Sequence, residues 1–165
     1  MSGALRLLTA RCRSRLVRAM LTVIVETADW GDRLPALLAA LTSAAVEGLV
    51  RDVLIAGGGP PELLAVLREE TGAELVADIA AGVAAARSDR LLVLPARIRL
   101  KSGWLDSLVR HQQGGGGDAL IVGEGPWFRA RPYGVLIGKA AAASLAHPDL
   151  KRLRGKLGAG AMRLV

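Results

Sequence analysis

Aromatic residues, cysteine and histidine are scarce in this sequence, and long apolar segments are missing from it. Its 165 residues include three Trp, one Tyr, one Phe, two His and a single cysteine. Because Cys12 stands alone, an intramolecular disulfide and a thiolate zinc site are excluded, and a reducing, cytoplasmic location is expected. No apolar run approaches the roughly 20 residues needed to cross a bilayer. The sequence therefore predicts neither a disulfide-stabilised nor a membrane-spanning protein.

The residues of common catalytic motifs are also sparse. The two histidines, His111 and His147, lie far apart, and neither has a carboxylate at the spacing of a metal site. No Gly-x-Ser-x-Gly sequence is present, so serine hydrolase chemistry has no support. We assign no metal-binding residue from the sequence.

The positive charge is concentrated at the two ends of the chain. The formal net charge is +7, yet residues 20–149 carry 12 basic and 15 acidic side chains, whereas residues 1–19 and 150–165 each carry five basic residues and no acidic one. A nucleic-acid-binding domain is expected to place basic and aromatic side chains together on its body. We therefore do not expect nucleic acid as a partner, and the basic termini favour a peripheral membrane contact instead.

Residues 1–19 are predicted to form a basic extension ahead of a single compact domain of residues 20–165. Their arginines alternate with an apolar stripe that includes Leu5 and Leu16, a pattern typical of an interfacial helix or a targeting peptide. Met20 directly precedes the first predicted strand, so a mobile extension or an upstream start is the other interpretation. Both interpretations stay open.

Apolar runs that alternate with helical patterns predict an α/β fold. About half of the residues are hydrophobic, enough for one substantial core. Alternating βα units predict a mainly parallel sheet with helices on both faces, a Rossmann-like three-layer α/β/α arrangement. The predicted strands are 21–25, 52–56, 74–76, 90–94, 118–122 and 133–137, and the predicted helices begin near 34 and span 60–70, 79–87, 104–111, 140–146 and 150–157.

Turn and capping residues mark the ends of these elements. Asp32 and Ser102 are the expected N-caps of the helices that follow them, and Gly72 is the expected end of the helix before it. The three glycines 57–59 could expose amides to a phosphate, but the two prolines that follow remove donors at that point, so a tight turn is expected.

Several segments, taken in order, resemble the family-two glycosyltransferases, inverting enzymes that bind nucleotide sugars on a GT-A fold. The resemblance covers roughly residues 20–110. It implies that Thr27 and Asp29 belong to a nucleotide cleft, as the family's loop after the first strand does. The matching segments are the first strand 21–25 with the helix start 33–38, the second strand region 46–53 with its turn 57–58, and the helix and strand 80–94.

The family's metal-binding acids have no counterparts at the matching positions. In that family an acid on the second strand helps to hold the nucleotide, and an Asp-x-Asp motif holds a divalent metal that neutralises the diphosphate. Here Ala56 matches the first position, and Pro95-Ala96-Arg97 matches the motif. The resemblance thus implies a glycosyltransferase-like protein, with a nucleotide sugar or glycan as ligand, whose metal-dependent sugar transfer is lost or weakened.

Two alternatives follow from the remaining polar residues. Arg97 and Arg99 could neutralise a diphosphate in a metal-independent transferase, or they could form a solvated basic edge. Asp149 is the candidate catalytic base by resemblance, while an N-cap before Leu150 is its other interpretation. A non-enzymatic scaffold or membrane-surface module is the third hypothesis, and no cofactor is assigned.

Overall fold

The computed structural model describes residues 21–28, 32–126, 128–158 and 160–164, which form a three-layer α/β/α structure as predicted. The predictions for residues 1–19 and Asp29 lie outside the described residues. The strands are β1 Leu21–Glu26, β2 Val50–Ala56, β3 Glu74–Val76, β4 Arg90–Pro95, β5 Ala119–Val122, β6 Tyr133–Gly138 and β7 Met162–Leu164. The helices are α1 Leu34–Val46, α2 Pro61–Thr71, α3 Ile79–Ala85, α4 Trp104–Gln113, α5 Lys139–Ala143 and α6 Leu150–Leu157.

The seven strands form one mixed sheet in the order β3-β2-β1-β4-β6-β5-β7. The four strands β3, β2, β1 and β4 are parallel, and β5 and β7 pair in parallel. Strand β6 is antiparallel to both β4 and β5. The predicted mainly parallel sheet is confirmed, with one reversed strand inserted beside its centre.

The central strands are buried on both faces. In β4, Leu92 and Leu94 pack into one core cluster with α1, α2 and α4, while Leu91 and Val93 pack into the other with α3, α5 and α6. Successive side chains of a strand point to opposite faces, so an uninterrupted apolar run is what a two-sided strand requires. The apolar runs of β1 and β4 are therefore explained by helices on both sides.

The predicted helix caps are partly wrong. Helix α2 ends at Gly72, whose φ of +70° is left-handed as predicted. Helix α1 has Arg33 at its N-cap position with no side-chain cap, since Arg33 already takes near-helical backbone angles, so Asp32 is not the cap. Before α4 the N-cap position is Gly103, which has a left-handed φ of +79°. Ser102 lies one residue too early and is not the cap.

Strand β7 was not predicted. The tail after α6 pairs with β5 in parallel and completes the sheet edge, with Leu164 buried and Arg163 exposed. Strand β3 is equally short, but it lies between two helical patterns; residues 162–164 have no such context, and their strand conformation depends on pairing with the distant β5. None of the helices in the described part of the chain is long and apolar enough to cross a membrane.

Substitution of Gly134 in β6 tests how closely the reversed strand packs against β4. A Cβ at this position would collide with a side-chain methyl group of Leu94 and would lie 3.1 Å from the carbonyl oxygen of Val93. Gly134→Ala should lower the free energy of unfolding by ~1–3 kcal/mol, because overpacking forces the core to shift. Gly155→Ala is the control, since an added Cβ there meets nothing within 4 Å and a helical alanine is favourable. Equal urea-unfolding midpoints for the two variants would contradict this packing.

Candidate functional site

Three neighbouring strands end together at the carboxyl edge of the sheet. The register pairs Glu26, the last residue of β1, with Ala56 of β2 on one side and with Pro95 of β4 on the other. Ligands of open α/β sheets bind outside the carboxyl ends of the strands. The positions where the resemblance places a nucleotide acid and a metal motif therefore lie side by side, with Glu26 between them.

Thr27 holds the turn after β2. It is 3% exposed, and its hydroxyl lies 2.9 Å from the carbonyl oxygen of Gly58 and 3.1 Å from that of Ala56. Gly57 has a φ of +111°, and a Cβ there would stand 2.7 Å from the Thr27 hydroxyl oxygen. The single hydroxyl hydrogen is thus directed to carbonyls of the protein, which gives Thr27 a positioning role and makes 57–59 a tight turn.

The segment after β4 presents two arginines to solvent. The amide of Ala96 donates to the carbonyl of Glu26 at 2.8 Å, and the amide of Ile98 donates to the carbonyl of Pro95 at 3.0 Å. Ile98 is buried, whereas Arg97 and Arg99 on either side of it are exposed. Burial of the isoleucine therefore anchors the segment and points the flanking guanidinium groups away from the core.

The connection between β5 and β6 brings further arginines to this segment. The amide of Glu124 donates to the carbonyl of Arg99 at 2.7 Å, and a Cβ on Gly123 would lie 2.7 Å from a side-chain carbon of Ile98. Only glycine permits so close an approach. The connection also carries Arg129 and Arg131.

Two cavities flank Arg97. The central cavity, of about 330 Å³, lies over the ends of β1 and β4 and is lined by Glu26, Pro95, Arg97, Ala130, Arg131, Pro132, Tyr133, Asp149, Leu150 and Lys151. The loop cavity, of about 620 Å³, is lined by Arg33, Arg97, Arg99, Glu124, Gly125, Pro126, Arg129, Ala130 and Pro132. The structure thus brings Arg97 and Arg99 together with Arg129 in one cavity, and Arg97 with Asp149 in the other.

Asp149 caps a helix and lines the central cavity at the same time. Its Oδ1 accepts the backbone amide of Arg152 at 2.7 Å, and its Oδ2 lies 3.5 Å from the Arg152 Nε. The predicted N-cap is confirmed, and the catalytic role stays a prediction. Glu26 shares this cavity and was not singled out from the sequence; its position directly after a buried strand was the available signal.

The donor set at this edge does not fit a divalent cation. The described residues contain no group of three or more His, Cys, Asp and Glu that could hold a metal ion. The central cavity has two carboxylates, Glu26 and Asp149, but also three cations, Arg97, Arg131 and Lys151. Hard cations are bound by several oxygen ligands, and nearby guanidinium groups repel them.

Comparisons with known proteins show similarity in structure only. No family model matches this sequence, and no curated protein matches it significantly. Among solved structures, glucosyl-3-phosphoglycerate synthase from Mycobacterium tuberculosis superimposes with a TM-score of 0.57 at 12% identity, over 77% of this chain and 59% of that one. Mannosyl-3-phosphoglycerate synthase from Rubrobacter xylanophilus superimposes with a TM-score of 0.51 at 12% identity, over 67% of this chain and 41% of that one.

A nucleotidyltransferase matches over more of its length. The 2-C-methyl-D-erythritol 4-phosphate cytidylyltransferase from Thermus thermophilus gives a TM-score of 0.52 at 18% identity, over 86% of both chains. The fold is of the GT-A type. This chain spans only about half of the two sugar-transferring synthases, of which the mycobacterial enzyme has been solved with Mn²⁺, uridine-diphosphate-glucose and phosphoglyceric acid. A GT-A fold thus underlies both sugar transfer and nucleotidyl transfer among these neighbours.

Replacement of Thr27 by valine tests its positioning role. Thr27→Val keeps the shape but leaves the carbonyls of Ala56 and Gly58 without this donor, so the free energy of unfolding should fall by ~1–3 kcal/mol. Thr42→Val is the matched control, because the hydroxyl of the exposed Thr42 bonds only the Leu38 carbonyl within helix α1. Equal losses of unfolding free energy in the two variants, measured by chemical denaturation, would contradict the positioning role of Thr27.

Proposed function

We propose that this protein binds a nucleoside diphosphate or nucleotide sugar at the carboxyl edge of its sheet, as a family-two-like protein whose metal-dependent sugar transfer is lost. The observation that carries the proposal is the position of Arg97. It follows the end of β4, where the family's metal motif is expected, and it borders both cavities. A guanidinium group there supplies the positive charge that a metal would otherwise supply.

The loop cavity is the better place for the diphosphate. Four arginines line it against one carboxylate, that of Glu124, which lies 3.6 Å from the Arg99 Nε. Arginine side chains hold phosphate oxygens through two parallel hydrogen bonds. Its volume of about 620 Å³ is in the ordinary range for small-molecule sites, which run from about 300 to 1,000 Å³.

Loss of metal-dependent transfer follows from the same residues. The three strand ends at this edge are Ala56, Glu26 and Pro95, of which one is an acid. A metal that stabilises a leaving diphosphate needs carboxylate ligands close together.

Calorimetric titration with uridine and guanosine diphosphates tests the proposal. We expect binding in the presence of EDTA that does not strengthen when Mn²⁺ replaces the chelator. Arg97→Ala should weaken binding by about tenfold, which corresponds to ~1.4 kcal/mol. The control is Arg68→Ala, which removes an exposed arginine from the last turn of α2 and should leave the affinity for the diphosphate unchanged. Binding that requires Mn²⁺, or an equal loss in both variants, would contradict the proposal.

A metal-independent transferase is the second candidate, favoured by the presence of Asp149 and Glu26 in the cavity that also contains Arg97. Asp149→Asn separates catalysis from capping, because asparagine caps helices about as well as aspartate but cannot accept a proton. If this candidate holds, the wild type in EDTA transfers the glucosyl group of uridine-diphosphate-glucose to water, which releases uridine diphosphate and glucose, and Asp149→Asn abolishes this release with an unchanged melting temperature. Absence of uridine diphosphate release by the wild type would contradict this candidate for this donor with water as the acceptor.

A further inference from the structure

A third cavity extends the site along helix α6. The helix cavity, of about 590 Å³, is lined by Leu120, Tyr133, Lys151, Arg154, Gly155, Gly158, Ala161 and Arg163. It shares Tyr133 and Lys151 with the central cavity, just as the central cavity shares Arg97 with the loop cavity. The three cavities therefore adjoin one another, and we call them together the basic groove.

The basic groove is strongly positive along its length. Eight basic and three acidic side chains of the described residues line it, and the helix cavity contributes three of the basic ones and none of the acidic ones. All eight basic side chains are exposed. Three of these basic residues come from the charged C-terminal segment 150–165, namely Lys151, Arg154 and Arg163. Because α6 and β7 pack onto the sheet, this segment lies beside the cleft.

We propose that the basic groove binds an acidic glycan as a chain, with one sugar in the central cavity and its acidic groups in the helix cavity. The inference rests on the proposed function, since it identifies the second ligand of the same cleft. Lys151, Arg154 and Arg163 meet the carboxylate, sulfate or phosphate groups of the glycan, and the diphosphate of the nucleotide occupies the loop cavity. Charged pairs of this kind guide association over a distance.

The carboxylates in the middle of the groove favour a glycan over a nucleic acid. Glu26 and Asp149 line the central cavity, where their oxygens accept hydrogen bonds from the hydroxyl groups of a sugar, whereas a phosphodiester has no hydroxyl hydrogen to donate. The aromatic side chain in the described lining is Tyr133, and the Arg154 guanidinium already lies over its ring, 4.7 Å from the centroid. Single-stranded nucleic acid binds through open aromatic faces on which its bases stack.

Fluorescence anisotropy with labelled heparin oligosaccharides of increasing length tests the inference on the full chain. For the wild type the affinity should rise with length. The double variant Arg154→Ala/Arg163→Ala should bind the longest probe with about tenfold lower affinity. The slope of its log affinity against log salt concentration should fall in magnitude by about two. Its affinity for uridine diphosphate should stay within about twofold of the wild type, because the loop cavity is unchanged.

The double variant Arg51→Ala/Arg68→Ala is the matched control, since it removes the same charge from exposed positions outside the three cavities. An equal loss in this control would overturn the inference. So would a single-stranded oligonucleotide that binds as tightly as a heparin probe of equal charge. Binding of uridine diphosphate without binding of heparin would overturn the inference alone, whereas failure of the diphosphate titration would count against the proposed function.

Discussion

The parallel pairing of β1 with β4 is the constraint on which the site depends. Both strands are buried on both faces, so a slip of one residue would exchange side chains of different shape between two closely packed layers, which is strongly disfavoured. The register therefore sets Glu26 beside Pro95, and the amide of Ala96 extends the pairing by bonding the Glu26 carbonyl. Arg97 follows between the anchored Ala96 and the buried Ile98. Core packing thus places a cation at the edge where open α/β sheets bind their ligands.

Much of the layer structure could be predicted, because apolar runs and helical spacing report directly on burial. The strands β1 and β4 and the helix α2 with its Gly72 end follow from such local patterns. Strand β6 was predicted from its own apolar run, but its reversed place between β4 and β5 was not, since that place depends on partners far away in sequence. Strand β7 was missed because it forms through pairing with the distant β5 and does not lie between two helical patterns as the equally short β3 does.

Prediction of the site was limited because its residues come together only through contacts between distant segments of the chain. Arg97 was singled out as a departure from a family motif and Asp149 as a residue that resembles the family's catalytic acid, and the structure places both in the central cavity. Glu26 was overlooked because its one signal, a place directly after the predicted strand 21–25, is shared by other residues at strand ends. The hydrogen bonds of Thr27 involve carbonyls about 30 residues away and leave no trace in composition. The basic groove itself arises only when α6 and β7 return to the sheet.

Pro95 and Arg97 also bear on what a metal site at this edge would require. Two aspartates introduced at these positions would enter a cluster that already contains Arg99, Arg129 and Arg131. Carboxylates close to guanidinium groups form ion pairs with them, so the introduced acids would be neutralised by their neighbours and would bind a cation weakly. A metal site here therefore requires the surrounding arginines to change as well, and the effect of each substitution depends on the others.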